Sequence, residues 1–318
     1  MHSLVLFVLL GLPLLAVLAL VIGAVVIGAP VKRLSVSADV TDVARAVSRQ
    51  VQVRNLAALA AGITIGAALA LLVSTYSLQV QWLPFVVPTA TAAAAILVFA
   101  RMPTVTFREA PGVRTADLDR RRPWSAGPRW LFVLVSSGAT LLVVSLVLTG
   151  VSAMPDGRSF GYVRGNLSGG GSPYPGFAYG VPALIGLAVL AGAVLIALSR
   201  ITSAGRPTSV SLREVDTVLR QIAVRVVLKT AVSAILVVAG GVLFSAGGVL
   251  RGASANLELN GGGALQPALL IGMVTIPLGL GLVVAGGVFF VLAVLDAVRR
   301  PIALLPEATS VPNASARA

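Results

Sequence analysis

Residues 230–250 read TAVSAILVVAGGVLFSAGGVL and contain no charged side chain. A helix rises about 1.5 Å per residue, so a segment of this length extends about 30 Å, the thickness of the hydrocarbon core of a bilayer. Lipid offers no hydrogen-bond partner to the backbone, and a single segment that crosses it must therefore be helical. The stretch predicts a transmembrane helix.

Six further apolar blocks lie at residues 4–29, 56–78, 83–100, 131–153, 181–199 and 268–295. The first block has no Lys or Arg before it and exceeds the roughly 7–15 residues of a signal-peptide core, so we expect a retained span. Charged residues make up 11% of the chain, whereas a soluble domain carries about 25%. The sequence predicts an all-α, polytopic transmembrane bundle of about seven spans.

The basic residues lie between the apolar blocks, which argues against nucleic-acid binding despite a net charge of +13. Loops 30–55, 101–130, 200–229 and 297–318 hold 21 of the 24 Lys and Arg residues. Because basic loops stay in the cytoplasm, we expect a bacterial cytoplasmic (inner) membrane protein with its N-terminus outside and its C-terminus inside. Anionic lipid headgroups are the expected partners of these loops.

Two similar segments predict an internal repeat. Residues 35–37 and 209–211 both read SVS, and RQVQVR at 49–54 resembles RQIAVR at 220–225. Transmembrane halves at 1–100 and 181–298 would then be parallel repeats, joined by a basic loop (101–130) and a linking span (131–153). The external loop covers 154–180, and the Pro-, Ala- and Ser-rich tail at 299–318 is expected to be disordered. Chance similarity in low-complexity sequence is the alternative.

Each repeated segment has apolar residues at helical spacing, which predicts helices at 38–54 and 211–226 that lie along the membrane. One interpretation is that they anchor the loops. The other is that they form a docking surface for a protein partner or a second copy. The candidate docking residues are Val43, Val47, Arg49, Val215, Leu219 and Arg220.

Residues that support catalysis or metal binding are scarce. The chain has no Cys and one His, His2, so thiol chemistry and Cys- or His-based metal sites are not expected. Asp296 is the acidic residue closest to a span, and Arg299 and Arg300 offer it neutralisation. We expect no cofactor, no metal and no enzymatic activity. An enzyme that holds a metal at Asp117 and Asp119 is the least supported alternative.

Small residues and prolines within the spans carry the remaining signals. Gly62 and Gly66 form a GxxxG pattern, which predicts close helix packing. Gly and Pro breaks in transporters can mark a substrate site. The candidate substrate path consists of Pro88, Pro277, Gly281 and Gly286.

The external loop is rich in Gly, Pro and Tyr, with GGG at 169–171 and PYPGF at 173–177. Its aromatic residues are expected at the headgroup level; contact with a ligand or partner is the alternative. With its Ala-, Gly-, Val- and Arg-rich composition, the chain resembles uncharacterised multi-pass integral membrane proteins of actinobacteria. That resemblance implies a membrane location and no particular mechanism.

The sequence leaves two main hypotheses for function. The first is an accessory, assembly or structural membrane subunit without a catalytic site, which binds a partner through its amphipathic helices. The second is a small permease or exporter for a neutral or amphipathic solute.

Overall fold

The computed structural model describes residues 32–36, 38–75, 83–102, 127–164, 166–205, 207, 210–261, 263, 266–298 and 302–306. The helices in this part of the chain are α1 (Ala38–Thr75), α2 (Leu83–Arg101), α3 (Arg129–Ser152), α4 (Phe177–Ser203), α5 (Val210–Leu259) and α6 (Gln266–Val298). Each of these six helices is long and apolar enough to cross a membrane. They correspond to the second to seventh predicted spans and fit an integral membrane protein. The predicted first span, 4–29, lies outside the described residues.

The sequence predicted two separate amphipathic helices, but neither amphipathic segment forms a helix of its own. Residues 38–54 belong to α1, and residues 211–226 belong to α5, a single helix of 50 residues. No Gly or Pro interrupts the chain between either segment and its span, and each added helical residue gains a backbone hydrogen bond. At about 75 Å, α5 is far longer than the hydrocarbon core, so one end extends beyond it. The parallel repeat itself stays a prediction.

Helix α5 is the centre of the bundle, and its closest neighbour is α6. Small residues recur every seventh position on both helices: Ser233, Gly240 and Gly247 on α5, and Gly272, Gly279 and Gly286 on α6. A methyl group on Gly279 would lie 2.6 Å from the carbonyl oxygen of Gly240, and one on Gly286 would lie 2.8 Å from that of Ser233. The backbones therefore touch along an antiparallel contact, which we call the glycine seam. When the contact residues of two helices recur every seven positions, the same faces stay opposed along the length of the pair.

The described residues also form two short sheets. Strand β1 (Lys32–Val36) pairs in parallel with β4 (Ile302–Pro306). Strands β2 (Phe160–Arg164) and β3 (Leu167–Gly171) form an antiparallel hairpin between α3 and α4.

The β1–β4 pair brings the segment before α1 to the segment after α6. A side-chain contact reinforces it, because Gln52 Nε2 donates a 2.6 Å hydrogen bond to the carbonyl of Val298. Residues 32–36 and 302–306 therefore lie side by side. The orientation of this end across a membrane stays a prediction. Residues 302–306 of the tail form a strand rather than the disordered segment that composition predicted.

Candidate functional site

A cavity of about 500 Å³ lies between α3, α5, α6 and the segment that carries the β2–β3 hairpin. We call it the hairpin cavity. Its lining residues are mostly apolar, and its polar groups are hydroxyls. The lining consists of Ser145, Leu148, Thr149, Ser152, Phe160, Tyr174, Leu243, Ala246, Leu250, Pro267, Ala268, Ile271 and Thr275.

The cavity is closed at one end by two aromatic rings. Phe160 and Tyr174 pack with their centroids 5.6 Å apart, and Tyr174 is 3% exposed. The Tyr174 hydroxyl lies 2.7 Å from Ser152 Oγ, which fixes the loop onto the end of α3. Tyr174 is buried, and Tyr179 is buried against Phe85 at 5.8 Å between centroids. The level of these aromatic residues relative to the lipid headgroups stays a prediction.

The sides of the cavity open towards the exposed surface of α3 and α6. Leu148 on α3 and Ile271 on α6 both line it, and their side chains are 65% and 51% exposed. The hydroxyls of Thr149 and Thr275 are bonded to the carbonyls of Ser145 and Ile271 in their own helices. Such back-bonding lowers the polarity of the walls, so the cavity suits an apolar or amphipathic group.

The loop that leads into the hairpin is organised by Asp156. Its carboxylate accepts hydrogen bonds from the N–H of Arg158 and from the N–H and hydroxyl of Ser159, at 2.7–3.1 Å. These bonds hold the pKa of Asp156 below its ordinary value of 3.8, with the Arg158 N–H as the largest cause. They stabilise the charged form of the carboxyl and with it the turn.

The Asp156→Ala variant is expected to be cleaved by trypsin after Arg158 several times faster than the wild type at neutral pH, because the turn loses its acceptor. Protonation of Asp156 acts in the same direction. Because the folded pKa of Asp156 is lowered, its carboxylate stabilises the loop fully at pH values above the ordinary pKa of the group. This stabilisation is lost as pH falls through the folded pKa. Cleavage after Arg251 in the same samples is the control, and an unchanged Arg158 rate would show that Asp156 does not order the turn.

A second cavity lies among α1, α2, α5 and α6. It has a part of about 160 Å³ and an adjoining part of about 10 Å³, which share Leu59, Ala95 and Thr230. We call the two parts together the four-helix cavity. Gly62 and Gly66 of the predicted GxxxG pattern face α2 here, because methyl groups on them would lie 2.8 Å from Ala95 Cβ and 3.1 Å from Thr91 Cγ2. The close approach of α1 to α2 that this pattern predicted is present.

Two buried polar atoms at the four-helix cavity have no hydrogen-bond partner within the described residues. Asn55 is 1% exposed, and its Oδ1 accepts no hydrogen bond from the described part of the chain. The hydroxyl of Thr91 is likewise buried without a partner there. Buried polar atoms are ordinarily satisfied, so these two mark the cavity as a place where a ligand or water would bind.

A buried ion pair joins α5 to α6 near the same end of the bundle. Lys229 Nζ donates to Asp296 Oδ2 at 2.7 Å, and the two side chains are 11% and 13% exposed. The sequence predicted that Arg299 and Arg300 neutralise Asp296, but both arginines lie outside the described residues. Lys229 was not predicted to have this role. The available signal was the position of Lys229 between apolar residues on one side and the uncharged span 230–250 on the other.

The predicted docking residues are largely used inside the molecule. Val47, Val215 and Leu219 are 7%, 0% and 4% exposed, so their apolar stripe is not an open surface. Arg49 is exposed, and the side chain of Val43 lies outside the described residues.

Arg220 caps the end of α4 rather than facing a partner. Its guanidinium donates to the carbonyls of Ile201, Ala204 and Gly205 at 2.8–2.9 Å and to Asp216 Oδ2 at 2.8 Å. Cations are favourable at helix C-termini, where the last carbonyls are unpaired. The arginine therefore attaches the first part of α5 to α4.

The predicted substrate-path residues do not form one site. Pro88 lines the four-helix cavity, whereas Gly286 lies in the glycine seam. A methyl group on Gly281 would meet no atom within 4 Å, and Pro277 is a partly buried residue inside α6.

Within the described residues, no group of three or more His, Cys, Asp or Glu side chains is arranged to hold a metal ion. Asp117 and Asp119 lie outside them. Comparison with protein-family models, with curated proteins and with solved structures finds no significant match to the chain. Within the described residues, the two cavities and the buried polar groups are the candidate functional features.

Proposed function

We propose that this chain is a permease or exporter that moves a neutral or amphipathic solute across the membrane, and that the hairpin cavity holds the solute. The observation that carries the proposal is the size and lining of that cavity. Small-molecule sites are concave, mostly apolar and about 300–1,000 Å³ in volume, with a few polar groups that orient the ligand. A volume of about 500 Å³ with hydroxyls at Ser145, Ser152 and Tyr174 meets this description.

The lining argues for a solute without a net charge. The residues that line the hairpin cavity include no Asp, Glu, His, Lys or Arg. An ion placed there would lose its hydration without gaining a counter-charge, which is strongly unfavourable in an apolar environment. An apolar body can contact Leu148, Leu243 and Ile271, while a polar end meets the hydroxyls.

The accessory-subunit hypothesis has less support than the sequence alone suggested. The stripe that was to bind a partner is buried, and of the candidate docking residues with a described side chain only Arg49 is exposed. We therefore rank the permease first and the accessory role second. Neither hypothesis requires an enzymatic site.

We further propose that the protein lies in the bacterial cytoplasmic membrane with the hairpin on the outer side. The segment from 154 to 180 contains only Arg158 and Arg164 as basic residues, whereas the loops at the other end hold most of the Lys and Arg. The positive-inside rule then assigns the β1–β4 end to the cytoplasm.

The proposal is tested by flux into vesicles of phosphatidylcholine and phosphatidylglycerol that contain the purified protein. Short-chain NBD-labelled phosphatidylcholine serves as an amphipathic probe, and radiolabelled glycerol as a small neutral one. We expect protein-dependent movement of at least one probe. Ala268→Phe, which fills the hairpin cavity, is expected to reduce that movement at least ten-fold.

Ala191→Phe is the matched control, because Ala191 is exposed on α4, away from the cavity lining; its flux should equal that of the wild type. Absence of flux for both probes with a folded, monodisperse protein would overturn the permease proposal. Purification from native membranes with a stoichiometric companion protein would then favour the accessory role.

A further inference from the structure

We propose that the four-helix cavity is a second binding site, occupied by water in the free protein and able to accept the hydroxyl of a small neutral ligand. This inference does not depend on the hairpin cavity, which has α3 and the loop with Tyr174 as walls. The four-helix cavity is completed instead by α1 and α2. It would place a hydrated, hydrogen-bonding site within the helices that are long and apolar enough to cross the membrane.

The unpaired acceptor of Asn55 is the first reason. Its Oδ1 is buried and takes no hydrogen bond from the described chain, although Asn55 lines the small part of the cavity. A carbonyl oxygen can only accept, so whatever satisfies it must donate. Together with the unpaired hydroxyl of Thr91 in the larger part, it defines a ligand that offers hydrogen-bond donors.

The dimensions of the cavity fit such a ligand. A buried water requires about 10–15 Å³ and two to four polar partners. The small part, about 10 Å³, has room for one water between Asn55 and Thr230. The larger part, about 160 Å³, has room for several waters or one small solute beside Thr91 and Ser233.

The lining also determines the charge of the ligand. No residue that lines either part of the cavity is ionisable. Lys229 precedes Thr230 in α5, but its ammonium is bound to Asp296 at 2.7 Å. The Arg54 guanidinium lies 4.3 Å from the centroid of the Phe99 ring, which lines the small part, so a cation would meet a like charge there. An anion without a donor could not satisfy Asn55 Oδ1, and a neutral donor is therefore favoured.

The absence of cysteine from the chain provides a direct test. Single cysteines introduced at Ser233 and, on another helix, at Thr91 report on the cavity, because methanethiosulfonate reagents react with thiolates in water. Ala239→Cys is the matched control: Ala239 lies on α5, is 0% exposed and does not line the cavity. We expect the small neutral reagent methyl methanethiosulfonate to label Ser233→Cys and Thr91→Cys at least ten-fold faster than Ala239→Cys in the full-length, vesicle-embedded protein.

Removal of the acceptor tests the role of Asn55. In the Ser233→Cys background, Asn55→Leu is expected to lower the labelling rate about ten-fold, since an apolar side chain removes a partner of the bound water. Equal rates for the cavity cysteines and Ala239→Cys would overturn the proposal, as would an Asn55→Leu rate equal to that of its parent. Fast labelling without solute flux would leave this site in place while removing the permease, so the two proposals fail separately.

Discussion

The Asp296→Ala variant is expected to lose about 3–5 kcal/mol of folding free energy, because it leaves the Lys229 ammonium buried without a counter-charge. The pair is short, at 2.7 Å, and both side chains are nearly buried. Removing one partner of such a pair costs more than the pair contributes, since the remaining charge loses its hydration and gains nothing in return. The measurement is the thermal unfolding midpoint of the purified protein in detergent.

A double variant separates charge burial from packing. Lys229→Met combined with Asp296→Leu removes both charges and keeps comparable volume, and such replacements are often neutral or stabilising. We therefore expect the double variant to recover most of the stability lost by Asp296→Ala. Glu258→Ala, which removes an exposed acidic side chain of α5, should leave the thermal unfolding midpoint unchanged.

Other outcomes would point to a different partner for Asp296. If Lys229→Met alone unfolds at the wild-type temperature, Lys229 is not what neutralises the carboxylate. Neutralisation by Arg299 or Arg300, which the sequence analysis suggested, would then be the remaining explanation. The coupling would be established if each single variant lost a similar amount of stability and the double variant lost much less than either.

The glycine seam carries the second large effect: Gly279→Ala is expected to lower stability by about 1–3 kcal/mol, the usual cost of overpacking. The added methyl group would lie 2.6 Å from both the carbonyl oxygen of Gly240 and the amide nitrogen of Phe244. These are backbone atoms, so α5 and α6 must separate to admit it. Thermal unfolding in detergent and the yield of monodisperse protein both report the change.

Gly281→Ala is the matched control, two residues further along the same helix. Its methyl group would meet no atom within 4 Å, and alanine favours a helix over glycine by about 1 kcal/mol. The control should therefore be as stable as the wild type or slightly more so. Equal destabilisation by both substitutions would contradict the glycine seam, because a methyl group outside the contact would then cost as much stability as one inside it.

The transmembrane helices were predictable from the sequence because their cause is local. A segment that crosses lipid must be apolar over about 20 residues, and the block at 131–153 corresponds closely to α3, Arg129–Ser152. The lengths of α1 and α5 were not predictable in the same way. In α5, the sequence changes from amphipathic to uniformly apolar at residue 230. The helical hydrogen bonds continue through this residue, so the two segments form one helix.

The candidate sites could be predicted only in part. The GxxxG pattern at Gly62 and Gly66 and the residue Pro88 were recognised from spacing and composition, and Gly62 and Pro88 line the four-helix cavity. The role of Asn55 could not be recognised, because an asparagine near the end of an apolar block is ordinarily exposed. Only the packing of α1 against α2 and α5 buries it to 1%.

By itself, the sequence determined the apolar helices, their expected direction across the membrane, and the scarcity of groups for metal or thiol chemistry. These properties depend on the order of residues along the chain and on the thickness of a bilayer. The tertiary structure alone decided that Lys229 pairs with Asp296, 67 positions away, that the docking stripe is buried, and that α3, α5, α6 and Tyr174 enclose a cavity. Such contacts depend on which helix faces meet, and backbone approach at the glycine seam sets that arrangement.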